Sequence, residues 1–390
     1  MKALFCHDHY YYTDGEVILS KGQYHASIWD RYLKQFDHLT VIGRDGGLAS
    51  KHEKGINTAS RENVSFQFFP NANSLRGLLF GRSDTRAKIA QLVSNHDVII
   101  LRGTSELGAM AYVEAKRQGK YIVMEVVSCA WDELWYHGSF KAKLYAFYRF
   151  FKQRQLARTA DACFYVSQKF LQHRYPSNAP LIAAVSDVVV TKDQFYKRNN
   201  AAKLPVLIGM IGTLKNKLKG VHVAIEACRI LKSKGITDFQ VRVLGPGEQG
   251  SWQDIINENN LQDYVILDGI VESGEPVLQW LRDLDLYIQP SFQEGLPRAV
   301  VEAMAQSLPV IGSDAGGIPE LINNELIFKR GNAQKLSQFI EQMINDPEKM
   351  LHYGHANYQT AQNYIYEDLI TIRDEFWANV KIKALQTPQG

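Results

Sequence analysis

The stretch PSFQEGLPRAVVEAMA at 290–305, followed by LPVIGSDAGGIPE at 308–320, decides the architecture. It reads as strand, tight loop, helix, strand, loop. The apolar run 286–288 ends just before Pro290, and Pro297 suits the first turn of a helix, where a missing N–H costs nothing. Gly295 lets the backbone approach a ligand closely. The helix then aims its free N–H groups and the positive end of its dipole at the loop, which favours an anion such as phosphate. Glu294 stands at the mouth of the loop, and Glu302 lies about 7–8 Å further along the helix at roughly 1.5 Å per residue. Carboxylates beside a phosphate site make sense when they hold hydroxyl groups. Two of them point to a ligand with sugar on both sides of a diphosphate.

The pair Glu294 and Glu302 is embedded in Pro290-Ser291, Glu294-Gly295 and Glu302-Ala-Met-Ala305. In that setting it resembles the donor site of the retaining glycosyltransferases of family 4, and the stretches at 128–135 and 168–176 resemble a branch of that family that builds bacterial capsular and exopolysaccharides. Pro309-Val310, Gly316-Gly317 and Glu320 extend the likeness. A bare pair of glutamates at this spacing is common on a solvated face; the flanking residues give it meaning. The resemblance implies an α/β chain of the GT-B fold, with two Rossmann-like parallel-sheet domains facing each other across a cleft. It implies a hexosyltransferase that moves a hexose from a UDP- or GDP-sugar to a saccharide acceptor with retention at the anomeric carbon; that the acceptor is lipid-linked is expected from the cations and aromatics of 140–160. No metal and no cofactor beyond the nucleotide-sugar are implied, and the chain has no compact Asp-x-Asp motif. Glu294 is expected to contact the donor hexose and Glu302 the ribose hydroxyls, with Gly22, Gly295, Leu296 and Gly317 on the donor side.

Working outward, 390 residues suit two domains of about 150–200 residues each. Hydrophobic content of 45% and charged content of 22% are ordinary for a globular chain. A net charge of +3 gives no global field that would select nucleic acid. Cys6, Cys129, Cys163 and Cys228 are scattered without a C-x-x-C pair and read as reduced core residues. The chain enters an apolar strand without a signal peptide and holds no run of 18 apolar residues. The expectation is a cytoplasmic protein, at most peripheral on the inner face of the plasma membrane.

Short apolar strands alternate with helical patterns in both halves, as in parallel α/β sheets. Strands are predicted at 2–6, 39–42, 64–69, 97–101, 121–127 and 162–166, with a loop from 7 to Gly22 and a helix from Gln23 to Gln35. Ligands sit at the carboxyl ends of such strands, which places His7, His9, Gly22, Arg102-Gly103, residues 125–132 and Ser167 near one rim. Many family 4 enzymes carry a His shortly after the strand at 121–127. Here none appears before His137, so Glu125, Ser128 and Asp132 are the acceptor-side candidates in its place. Trp131 and Trp135 read either as packing or as a platform for an acceptor sugar ring. Residues 140–160 form a helix with six cations, no acid and six aromatics, which suits an anionic membrane surface or a helix whose aromatics face the core.

The crossing between domains falls at 181–194, giving an acceptor domain over 1–186 and a donor domain over 187–365. The helix 366–390 is expected, by resemblance, to pack back on the first domain. The donor domain opens with a strand ending at Gly212 and a loop to Lys219-Gly220. Lys219 matches the family lysine that pairs with the donor diphosphate. The arginine usual just after Gly212 is Thr213 here, which leaves Lys215 or Lys217 to supply that charge, and a solvated lysine cluster is the competing reading. The run from Gly245 to Gly250 fits G-x-G-x-x-G, with Asp268 eighteen residues on. It supports a rival reading as an NAD-dependent oxidoreductase, weakened because it does not open its domain. A non-catalytic nucleotide-sugar-binding protein is the other rival.

Overall fold

Strands covered on both faces need apolar residues on both, and the runs 98–101 and 121–126 have them: every residue there is buried. In the computed structural model the described residues are 1–22, 24–53, 55–70, 81–103, 105–136 and 139–387, without the side chains of 81 and 82. His137, the predicted helix start at Gln23 and the tail beyond residue 387 lie outside them.

The first sheet contains β1 (Lys2–Thr13), β2 (Ile18–Lys21), β3 (His38–Leu48), β4 (Ile56–Thr58), β5 (Val64–Phe69), β6 (Val98–Arg102), β7 (Tyr121–Val126), β8 (Ala162–Tyr165) and β9 (Leu181–Ala184). Its parallel body runs β5-β3-β1-β6-β7-β8-β9. The predicted loop from 7 to 22 is a correction: β1 continues to Thr13, and β2 and β4 add an antiparallel ribbon to it. The aromatic run 9–12 alternates across that strand, and Tyr11 enters a ring cluster with Tyr24, Phe66 and Phe68. The helix expected from residue 23 is shorter, a 3-10 turn at Ala26–Trp29 running into Asp30–Leu33.

The second sheet is wholly parallel, β10 (Val206–Ile211), β11 (Phe239–Leu244), β12 (Val265–Gly269), β13 (Leu286–Gln289), β14 (Val310–Ser313) and β15 (Ile327–Phe328), in the order β12-β11-β10-β13-β14-β15. The connecting segment is buried: Val185, Val188 and Val190 join one apolar cluster that runs from Phe5 and Trp29 to Val300 and Ala303. The last helix, Tyr366–Gln386, lies on the first domain. Trp377 meets Tyr32 and Phe36 edge-on at 5.0 and 6.1 Å, and Phe376 meets Phe164 at 5.3 Å.

Candidate active site

The second sheet reverses its strand order between β10 and β13, and the loops after these two strands meet at that point. Glycine is required where they touch. A Cβ on Gly212 would lie 2.7 Å from the Cβ of Lys219, and one on Gly220, at φ +78°, would lie 2.0 Å from the Pro290 carbonyl. The stem of Lys219 therefore lies flat across Gly212, and its Nζ reaches Glu294 Oε1 at 2.6 Å. The same oxygen accepts from Ser291 Oγ at 2.7 Å and Gln289 Nε2 at 3.2 Å. Behind them, Tyr287 donates to Gln289 Oε1 at 2.7 Å and accepts from the Ile211 N–H at 3.1 Å. Glu294 is 6% exposed and these supports 0–1%, whereas the Lys219 side chain keeps 29% of its surface open. A buried carboxylate is thus fixed by three donors beneath a half-open cation.

Glu302 sits on the helix Arg298–Ala305. Among the described residues no hydrogen bond engages its carboxylate. Burial raises its pKa above the ordinary range, with Arg298 opposing. The buried Tyr287 hydroxyl is pushed far up by burial and then by the charges of Glu302 and Glu294, so it lies near both. Gly316 and Gly317 press the next loop against this one: Cβ atoms there would lie 2.3 Å from the Glu294 carbonyl and 2.7 Å from the Gly295 carbonyl. Leu296 turns its side chain into the core at 7% exposure, leaving only its backbone for a ligand.

Thr213 donates to the Pro246 carbonyl at 3.1 Å and accepts from the Lys215 N–H at 3.2 Å, so its hydroxyl shapes the loop rather than replacing a cation. Lys215 and Lys217 are exposed. Gly22 closes the antiparallel ribbon at φ +91°. Burial, then the Arg298 guanidinium of the second domain, lowers the pKa of His25. The G-x-G-x-x-G run packs loop on loop: Cβ atoms on Gly245 and Gly247 would lie 2.1 Å from the Gly212 carbonyl and 2.7 Å from Leu214 Cβ. Asp268 is engaged by Arg242 at 2.9 Å and Trp280 Nε1 at 2.8 Å. These glycines shape the wall beside Lys219, which removes the motif as support for a dinucleotide reading.

The domains touch across the cleft. A Cβ on Gly295 would lie 2.3 Å from the Val127 carbonyl. Glu320 caps the start of the helix Phe170–Arg174 in the other domain, accepting from the N–H groups of Gln168 at 2.8 Å, Lys169 at 3.0 Å and Phe170. Arg330 reaches from the second domain to Asp132 at 3.4 Å and covers the Tyr136 ring at 5.2 Å.

The two charged acceptor-side candidates are closed off by partners. Glu125 is 1% exposed and accepts from Arg102 Nη1 at 2.6 Å and Tyr32 at 2.9 Å. Arg102 also binds Asp187 at 2.7 Å, which pairs in turn with Arg31 at 2.8 Å and Arg373 at 3.7 Å. Asp132 is buried between Arg174 and Arg330. Trp131, partly exposed, stacks on Trp135 at 4.9 Å and meets Phe147 edge-on. Ser128 presents its carbonyl to Gln153 Nε2 at 3.0 Å. Missed by sequence reasoning were the Tyr287–Gln289–Ser291 relay and Arg330. Gln289 and Ser291, polar at the end of an otherwise apolar strand, were the available signal for the first. Among the described residues no group of three or more His, Cys, Asp or Glu side chains is arranged to hold a metal.

Residues 205–346 match the family described as Glycosyl transferases group 1. Protein CapJ of Staphylococcus aureus is 28% identical over 98% of this chain and 96% of its own length. The putative colanic acid biosynthesis glycosyltransferase WcaL of Escherichia coli is 39% identical over 36% of each chain. The crystal structure of Anabaena HepE in complex with UDP-glucose aligns over the whole of both chains with a TM-score of 0.65 and 19% identity. With two parallel sheets joined across a cleft and that domain spanning the second of them, the chain is a glycosyltransferase of the GT-B fold that carries the group 1 glycosyl transferase domain.

Proposed function

We propose that the chain moves a hexose from a UDP-sugar, with retention at the anomeric carbon, onto a lipid-linked saccharide in the building of a bacterial capsular or exopolysaccharide. The observation that carries this reading is Lys219 held over buried Glu294 at a topological switch point, with the Glu302 carboxylate unengaged on the adjoining helix. Glu302 accepts from the ribose hydroxyls, Glu294 from the hexose, and Lys219 faces the diphosphate between them. As the bond from anomeric carbon to phosphate oxygen breaks, its electron pair stays on the phosphate. Lys219 and the N–H groups at the start of Arg298–Ala305 stabilise that charge, a task that requires no metal and no further cofactor. The acceptor oxygen bonds to the same face of the carbon, and its proton passes to the departing phosphate. The HepE complex with UDP-glucose and the likeness to WcaL, a putative colanic acid biosynthesis glycosyltransferase, support the donor and the product class.

The helix Phe140–Thr159 supports a lipid-linked acceptor. Phe140, Leu144, Phe147, Tyr148 and Phe151 are exposed at helical spacing along one stripe, beside Lys141, Lys143 and Lys152. Basic residues near an anionic membrane contribute about 1 kcal/mol each. Among the described residues no helix is long and apolar enough to cross a membrane, and this reading has the stripe lie on its surface.

A melting screen over UDP-, GDP- and ADP-sugars tests the donor, with the UDP-sugars expected to raise the melting temperature most. NMR of the product then tests stereochemistry, and inverted configuration would overturn retention. Co-sedimentation with phosphatidylglycerol vesicles should exceed that with phosphatidylcholine vesicles and fall with salt. Binding that ignores vesicle charge would remove the membrane surface from the reading and leave the donor assignment intact.

A further inference from the structure

The first sheet has a switch point of its own. From β1 the chain moves outward to β3 and β5 and returns at β6, so the carboxyl ends of β1 and β6 flank a crevice of the kind that holds ligands in α/β sheets. In the second sheet the equivalent place, between β10 and β13, gathers Gly212, Lys219 and Glu294. In the first it gathers His7, one residue past the last β1–β6 pair, and Arg102-Gly103.

The register of β1 against β3 slips at this point. Cys6 faces Ile42 and Tyr10 faces Arg44, so residues 7–9 stand opposite Gly43 alone. Bulges of this kind re-aim side chains beside active sites. Two of the three residues are engaged. His9 Nε2 pairs with Ser20 Oγ at 2.8 Å, while Asp8 pairs with Arg44 at 3.1 Å and accepts from the Leu107 N–H at 3.3 Å. His7 differs: its Nδ1 is closed to solvent and has no hydrogen-bond partner among the described residues. Native proteins keep few such atoms, and function is one reason to keep one. Burial, then the charges of Arg102, His9 and Arg149, lower the His7 pKa to about 3. The ring is therefore neutral at physiological pH and suited to an uncharged hydroxyl. The crevice adjoins the donor site: Gly103 lies against Val127, whose carbonyl abuts Gly295 next to Glu294.

We propose that His7 hydrogen-bonds the attacking hydroxyl of a neutral pyranoside acceptor and orients it toward the donor. This rests on the donor reading above and supplies the acceptor-side contact that the buried Glu125 and Asp132 do not. No proton is transferred to the ring.

Whichever of UDP-, GDP- and ADP-glucose raises the melting temperature most serves as donor in a nucleotide-release assay. Methyl glycosides of glucose, galactose, mannose and N-acetylglucosamine serve as acceptor probes. At least one glycoside should accelerate release by the wild type. His7→Ala should lower that acceleration about 10–100-fold, through kcat or the KM for the glycoside, while the donor still raises its melting temperature. His7→Asn places an amide where Nδ1 stood and should restore more than His7→Gln, whose amide reaches the Nε2 position. A ring with a purely structural role would not make that distinction. Wild-type rates in His7→Ala, better rescue by Gln than by Asn, or no glycoside effect on a wild type that binds donor would each overturn the proposal. A wild type that neither binds nor turns over any of the three donors would instead overturn the donor reading, and this proposal with it.

Discussion

Two sets of buried charges, one in each domain, are used in opposite ways. Around Arg102 the charges are closed on one another: Glu125 and Asp187 take the guanidinium from two sides, and Arg31 and Arg373 close on Asp187. That set ties together the carboxyl ends of two central strands of the first sheet, its first helix, the inter-domain segment and the last helix. Around Glu294 the support is just as buried, but the set ends in Lys219, which is partly exposed, and stands beside Glu302, whose carboxylate accepts no hydrogen bond among the described residues. A saturated set stabilises a fold and offers nothing to a ligand. An unfinished one carries a desolvation cost that a ligand relieves, which marks it as the place for chemistry.

The sharpest way to break this contrast is Arg102→Met. It leaves Glu125 and Asp187 buried without their main partner and should lower stability by roughly 3–5 kcal/mol in urea denaturation. Burial alone would raise the Asp187 carboxyl, but Arg102, then Arg31 and Arg373, outweigh it and hold its pKa far below the usual range. The stability Asp187 contributes is therefore complete above its unfolded pKa of about 3.9 and is lost as pH falls below it. In Arg102→Met the folded pKa of Asp187 rises toward the unfolded one, so that acid-dependent loss should be smaller and should end at a higher pH. A variant as stable as the wild type would show that the set does not hold the domains together.

Lys219→Ala should do the reverse, lowering kcat/KM by about 10²–10³ with a smaller change in stability, because Ser291 and Gln289 still donate to Glu294. Near-normal turnover would place the diphosphate elsewhere.

The finest test is Glu302→Gln. Loss of a charged acceptor should weaken nucleotide binding by roughly 1.5–3 kcal/mol, measured by calorimetry. The free protein should melt higher than the wild type at neutral pH. Burial holds the Glu302 pKa above its unfolded value, so its contribution to stability is present at acid pH and lost as pH rises through the folded pKa. Glutamine has no such loss, and the difference should vanish below about pH 4. Equal melting at neutral pH would mean that Glu302 is already compensated without ligand.

The cluster at the switch point of the second sheet was legible in the sequence. Its signals are local: Lys219-Gly220 on one loop, Glu294-Gly295 and Glu302 on the next, glycines where backbones meet, and uninterrupted apolar runs for strands covered on both faces. Groups a few residues apart on a loop and a short helix need little from the rest of the chain to come together. The acceptor side was not legible in the same way. Glu125 and Asp132 have the composition of site residues, and only their partners at Arg102, Tyr32, Arg174 and Arg330 show them to be closed off. Those partners lie 23 to 198 positions away in the chain. The extension of β1 past residue 6 was hidden for a related reason: its rings are buried by Tyr24, Phe66 and Phe68, which arrive from other elements. Whether a charge is paired, and whether a ring is covered, depends on what the fold brings beside it. Neighbours along the chain set the loops, but neighbours in space decided which charges remained open.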